Sequence, residues 1–147
     1  MEIAVLALGC FWGPEIKFSK IEGIIKTEVG YCGGKNPITT YKEVCTGNTN
    51  HAEVVKLEFD SKKISYEQIL DFFFEIHDPT TLNAQGPDFG TQYRSEIFYL
   101  NNSQKEIAEK VLKQINIKLN NKVVTKMTLL NNYCTAEEYH QKYLEKN

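Results

Sequence analysis

The 147-residue chain is 41% hydrophobic, enough to bury a core without help from disulfides or a metal. Its 17 basic and 19 acidic side chains give a net charge of −2 and form no basic run, which speaks against nucleic acid as a partner. No apolar stretch approaches the roughly 18 residues needed to span a bilayer, so no membrane association is expected.

Residues 3–10, IAVLALGC, end an apolar run in a cysteine, as a lipoprotein-type signal does. Only Met1 and Glu2 precede them, with no positive charge, so they read instead as a buried strand over 3–8 that begins the mature protein. Without an export signal, the reducing cytoplasm is the expected location. A helix should start between Trp12 and Pro14, since proline suits a first turn, and run to about Lys20, where Gly23 ends it. Ile25, Thr27, Val29 and Tyr31 alternate as in a half-buried strand, CGGKNP reads as a loop, and Val55, Leu57 and Phe59 alternate again.

Ser65-x-x-Gln68 is a capping box ahead of the apolar run from Ile69 to Ile76, with Pro79 just beyond. Residues 79–94 read as a long loop without a pattern of its own, and long loops in compact domains are often functional. A strand over 97–100 follows. Ser103-x-x-Glu106 is expected to cap a helix carrying Ile107, Val111, Ile115 and Leu119 on one stripe. A strand over 123–130 and a last helix capped by Thr135-x-x-Glu138 complete the chain. The order β-α-β-β-α-β, then α-β-α, predicts an α+β fold with a ferredoxin-like split βαβ core and a C-terminal addition. No repeat or linker interrupts it, so residues 1–147 are expected to form a single domain.

Four cysteines (Cys10, Cys32, Cys45, Cys134) include no Cys-x-x-Cys pair and lie far in sequence from His51, His77 and His140, so neither a metal site nor structural disulfides are expected. Cys10 stands apart from the others. It lies between Gly9 and Phe11-Trp12 at a strand-to-helix turn, where unpaired N–H groups and the helix dipole favour a thiolate. Two adjacent aromatics at such a turn cannot easily both enter one core. One of them is expected to wall a small apolar pocket beside the sulfur, suited to a methyl or methylene group next to a reacting atom.

GCFWG (9–13) is followed by TYKEVCTG (40–47), HAE (51–53), ISYEQIL (64–70), HDPT (77–80), QGPDFGTQYRS (85–95) and AEEYHQKYL (136–144). In this order, and over nearly the whole chain, these blocks resemble the peptide methionine sulfoxide reductases of the A type. Pro14 and Asn50 depart from the family pattern; a glycine often precedes the HAE block. The resemblance implies reduction of methionine S-sulfoxide, free or in proteins, as repair after oxidative stress. It implies Cys10 as nucleophile, Glu53 as proton donor to the sulfoxide oxygen, and Tyr41 and Tyr93 as hydroxyl donors to it. Phe11 and Trp12 would receive the methyl group, and Asp88 the substrate backbone.

On the residues alone, Glu53 reads as a solvated carboxylate at a strand end, and Tyr41 and Tyr93 as packing residues. The implied chemistry needs more of Glu53. A sulfoxide oxygen leaves only when protonated, and a carboxyl acts as that acid near neutral pH only if an apolar site raises its pKa.

Attack by Cys10 would leave a sulfenic acid on it and release methionine. A second thiol must then act. The family's resolving cysteines often lie in a C-terminal extension, and the sequence stops at Asn147, soon after AEEYHQKYL. Cys32, in a glycine-rich segment, is the first candidate, Cys134 the second, and direct reduction by an external thiol the third; Cys45 reads as structural. No bound cofactor is expected, only an external thiol reductant of the thioredoxin kind, and a monomer is the default. Two other readings compete: a cysteine hydrolase or acyltransferase using a histidine base such as His51, and a non-catalytic binder of oxidised methionine.

Overall fold

The structure, a computed structural model, describes residues 1–146. Strand β1 (Glu2–Leu8) leads into helix α1 (Trp12–Ser19), which is followed by β2 (Ile24–Cys32), a short helix α2 (Tyr41–Cys45), β3 (Ala52–Phe59) and α3 (Tyr66–Glu75). A small hairpin, β4 (Ala84–Gln85) with β5 (Asp88–Phe89), precedes β6 (Ser95–Tyr99). Then come α4 (Asn102–Lys118), β7 (Lys126–Leu129), β8 (Cys134–Thr135) and α5 (Tyr143–Lys146).

The main sheet runs β7-β6-β1-β3-β2-β8. Its central four strands, β6-β1-β3-β2, are antiparallel neighbours, with β1 joined to β2 by a helix and β3 to β6 by another. That is the split βαβ arrangement expected from the sequence. β7 adds in parallel beside β6 after α4, and β8 adds antiparallel at the β2 edge.

Period-2 alternation decides which face each side chain meets. Ala4, Leu6 and Leu8 of β1, with Val55, Leu57 and Phe59 of β3, form the main core with Phe18, Ile69, Leu70, Phe73, Ala108 and Val111 of the helices. Val5, Ala7, Cys32, Ala52, Val54 and Phe98 face the other way and form a smaller core. The Ser65–Gln68 capping box is present with both hydrogen bonds.

Four local expectations are corrected. Helix α4 is capped by Asn101, whose Oδ1 accepts from the Gln104 N–H at 2.9 Å, rather than by Ser103. The buried Gln104 side chain fixes that frame by bonding Leu100 N (3.0 Å) and Ile3 O (2.7 Å). Thr135 caps no helix; it lies in β8, and the Ala136 N–H goes to Val29 O at 3.0 Å, so pairing with β2 overrides the local signal. The segment 79–94 is built from the β4–β5 hairpin and a 3-10 turn over Thr91–Tyr93, elements too short to leave a period. Ile25 is 55% exposed because a register shift between Ile24 and Lys26 turns it outward.

The core residues set the stability. Leu57→Ala, at a fully buried site of β3, is expected to lower the free energy of unfolding by about 2–5 kcal/mol, while Ile117→Ala on the exposed side of α4 changes it by under about 1 kcal/mol. Urea denaturation of both variants checks the contrast.

Candidate active site

The site forms where β1 ends and α1 begins. Gly9 takes φ +95°, and a Cβ there would lie 2.8 Å from the Gln85 side chain, so the turn that presents Cys10 requires glycine. Cys10 is half-buried just ahead of the first turn of α1, and its sulfur accepts a hydrogen bond from the Trp12 N–H.

Glu53 is 1% exposed and reaches the same helix end from the start of β3. Its Oε1 accepts from the Phe11 N–H at 3.3 Å, and its buried Oε2 has no hydrogen-bond partner. Burial pushes the Glu53 carboxyl up to about 8; the Phe11 N–H opposes this, and the Asp88 charge adds to it. At neutral pH the group is therefore mostly a neutral acid. The carbonyl oxygen is the stronger acceptor, so the Phe11 bond at Oε1 favours the proton on Oε2.

The sulfur departs from expectation. Burial pushes Cys10 up to about 11; the Trp12 N–H lowers it, and the Glu53 and Asp88 charges raise it. Desolvation outweighs the helix end, and the resting group is a thiol rather than a thiolate.

Tyr41 and Tyr93 converge on these groups. Tyr41 starts α2, with Thr40 as its cap, and its hydroxyl donates to the Cys45 sulfur. Tyr93 closes the 3-10 turn, and its hydroxyl is pushed up to about 12, first by burial and then by the charges of Glu53, Cys45, Asp88 and Cys10. Both tyrosines are also raised by charges from this same cluster, so both remain protonated donors. Asp88 projects from the β4–β5 hairpin.

Phe11 is buried, 5.8 Å ring to ring from Tyr31 and 5.2 Å from His140. Trp12 stays half-exposed, stacked on Tyr143 at 3.9 Å, with its Nε1–H donating to His140 Nδ1 at 3.0 Å. One aromatic has entered the core and the other lies at the surface of the cluster, as the geometry of adjacent residues requires.

The backing of this cluster was missed by local reasoning. Glu137 accepts from the Tyr31 hydroxyl (2.8 Å) and from the Tyr41 N–H (2.9 Å). The His140 ring lies 4.4 Å from the Tyr41 ring and 5.7 Å from that of Trp12. These residues lie within the AEEYHQKYL block, whose density of hydrogen-bonding side chains was the available signal.

The remaining thiols separate clearly. All four cysteines are free. Cys32 is fully buried, pairs with Ala52 rather than Glu53, and therefore faces the opposite side of the sheet; its sulfur donates to Asn131 O at 3.1 Å. In this arrangement it has no route to Cys10. Cys134 is half-buried on the edge strand β8, its sulfur 3.6 Å from Thr39 O. Cys45, expected to be structural, is exposed and in contact with Tyr41. His51 is 1% exposed and walled in by Gly34, where a Cβ would meet its Nδ1 at 2.0 Å. It lies with the Asn36 and Asn132 backbones, not with the groups that surround Cys10. Among the described residues, no group of three or more His, Cys, Asp or Glu side chains is placed to hold a metal ion, and no helix is long and apolar enough to cross a membrane.

The family model described as peptide methionine sulfoxide reductase matches residues 2–147. A peptide methionine sulfoxide reductase MsrA from Pelagibacter ubique is 79% identical over 146 residues, covering 99% of both chains. The reduced form of Mxr1 from Saccharomyces cerevisiae superposes with a TM-score of 0.93 at 43% identity, over 99% of this chain and 85% of that one. Mxr1 in complex with Trx2 superposes with a TM-score of 0.68 at 29% identity, over 97% and 84%.

The buried acid gives a stability signature of its own. The folded carboxyl titrates near 8 against an ordinary 4.5, so the native state holds the extra proton between those values and stability falls as pH rises through them. Glu53→Gln cannot ionise. Urea denaturation is expected to show a smaller loss of stability for this variant than for the parent between about pH 5 and about pH 8.

Proposed function

The chain belongs to the peptide methionine sulfoxide reductase family, and from that premise we propose how its residues divide the reaction. It is an oxidoreductase that reduces methionine sulfoxide to methionine. The S epimer at sulfur is the substrate we assign, in proteins or free. One domain, residues 1–147, carries the whole site.

One observation supports the reading most: a carboxyl uncharged at neutral pH, with a free Oε2, bound through Oε1 to the residue next to Cys10. Glu53 donates its proton to the sulfoxide oxygen, and the Tyr41 and Tyr93 hydroxyls hold that oxygen as charge builds on it. Cys10 attacks the sulfur. Its thiol proton replaces the one Glu53 has given up, the oxygen passes to Cys10 as hydroxyl, and methionine leaves. The balance is one thiol and one sulfoxide in, one sulfenic acid and one thioether out.

The high thiol pKa fits this order. A neutral Cys10 waits until substrate arrives with an acceptor for its proton nearby. Trp12, half-exposed beside Cys10, offers the apolar surface for the methyl group, with Phe11 behind it, and Asp88 faces the substrate backbone. An external dithiol of the thioredoxin kind completes the cycle, a role supported by the complex of the related Mxr1 with Trx2. The hydrolase alternative lacks support because His51 is enclosed away from the thiol.

Replacing the acid tests the assignment. Glu53→Gln is expected to lower kcat roughly 10²–10⁴-fold. In the parent, single-turnover release of methionine falls as pH rises through about 8, because the acid is then lost; the variant shows no such fall. The paired variant Tyr41→Phe with Tyr93→Phe is expected to lose roughly 10²–10³-fold in kcat. An unchanged rate in Glu53→Gln removes the proton donor from the mechanism.

A further inference from the structure

We propose that Cys45 is the thiol that resolves the sulfenic acid formed on Cys10. The inference rests on Cys10 acting as the nucleophile and extends that same site. Cys45 ends α2, one helical turn after Tyr41, so the two side chains share a face. The Tyr41 hydroxyl donates to the Cys45 sulfur. The Tyr93 hydroxyl lies within electrostatic reach of Cys10 and Cys45 alike, together with Glu53 and Asp88. The two sulfurs thus border one cluster, Cys10 half-buried within it and Cys45 exposed at its rim. The same cluster holds the uncommitted Oε2 of Glu53's buried carboxyl and the two hydroxyls assigned to the departing oxygen.

The other two thiols lack this placement. Cys32 points away from Glu53 and is fixed within the β2–β3 pairing, which would have to open for it to reach Cys10. Cys134 lies on β8, with all of β2 between it and the strand that carries Glu53, about 10 Å of sheet at the usual strand spacing.

Cys45 sits on a short helix between two irregular segments. Helix α2 has five residues and is flanked by irregular segments over 33–40 and 46–51, which are tied at their base by Lys35 N to Thr49 O at 2.9 Å. A disulfide requires Cα atoms about 4.4–6.8 Å apart. Bringing Cys10 and Cys45 to that distance requires α2 to shift, at the cost of the Tyr41 N–Glu137 bond, the Tyr41–His140 ring contact and the seat of buried Val44 but of no strand pairing. While substrate occupies the space between the sulfurs the shift is blocked, so resolution follows methionine release.

The step balances. The Cys45 sulfur attacks the Cys10 sulfur, the S–O bond breaks as the S–S bond forms, and the hydroxyl leaves with the Cys45 proton as water. An external dithiol then attacks the exposed Cys45 sulfur, is itself oxidised to a disulfide, and returns both thiols.

The test treats reduced enzyme with one equivalent of methionine sulfoxide, without reductant, and measures released methionine, intact mass and the disulfide peptide map. The expected result is one methionine per enzyme, a mass lower by two hydrogens, and a peptide joining Cys10 to Cys45. Cys45→Ser is expected to hold the sulfenic acid instead, trapped by a dimedone-type reagent, with turnover on a protein dithiol reduced about tenfold or more. A disulfide from Cys10 to Cys32 or Cys134, or a parent enzyme that keeps its sulfenic acid, overturns the proposal while methionine release leaves the reductase reading standing. Absence of methionine overturns that reading itself. The parent's peptide map decides the matter even if Cys45→Ser folds poorly.

Discussion

The removal of the Glu53 carboxyl from water is the constraint on which the site depends. In solvent this group would be a carboxylate near neutral pH and useless as an acid. Placed at the second position of β3, paired with Tyr31 and on the face shared with Val55 and Leu57, it is turned toward the protein interior. The sheet register thus dictates its chemistry: a one-residue slip of β3 would exchange Glu53 with Ala52 and put the carboxyl on the opposite face. The Phe11 N–H gives it one fixed contact, enough to orient the carboxyl but not enough to ionise it. Burial is opposed by that single bond and dominates.

The same burial governs the sulfur, with a different consequence. Cys10 has the helix end that favours a thiolate, yet it also has acidic neighbours and too little water. A neutral thiol is a poor nucleophile toward stray electrophiles and oxidants. In the proposed reaction the site therefore couples reactivity to the arrival of an oxygen that can be protonated. Glu53 and Cys10 are held protonated by one physical cause, so in the proposed mechanism their proton inventories are linked: what one gives to the substrate, the other replaces.

The C-terminal segment turns this corner of the sheet into a walled site. Glu15 of α1, buried, accepts from the Thr27 hydroxyl (2.8 Å) and from the Lys142 N–H (2.6 Å), and so ties the segment to the first helix. Gln141 bonds both backbone groups of Val29 at 2.9 Å, standing in for a neighbouring strand. Glu137 and His140 then reach Tyr31, Tyr41 and Trp12. The His140 Nδ1 accepts from the Trp12 indole, which requires the neutral ring, and burial lowers its pKa in agreement. Polar side chains of a segment with little regular structure thereby orient the aromatic groups around Cys10.

The sequence by itself determined the five longer strands and the helices α1, α3 and α4, because alternation and the 3.6-residue stripe are written into neighbouring residues. It also determined the turn at Cys10, since glycine beside a strand end and proline in a first helical turn have few other meanings. The Asn50 that departs from the family pattern takes φ +59°, a conformation asparagine shares with glycine. Only the tertiary structure decided the protonation of Cys10 and Glu53, since desolvation depends on every element packed around them. It also decided that Cys32 faces away, because which side of a sheet a residue meets follows from strand pairing across the chain, and that Cys45 stays exposed at the end of α2 beside Tyr41. And it decided that Thr135 joins β2 rather than opening a helix, because a distant backbone partner outweighed the local cap.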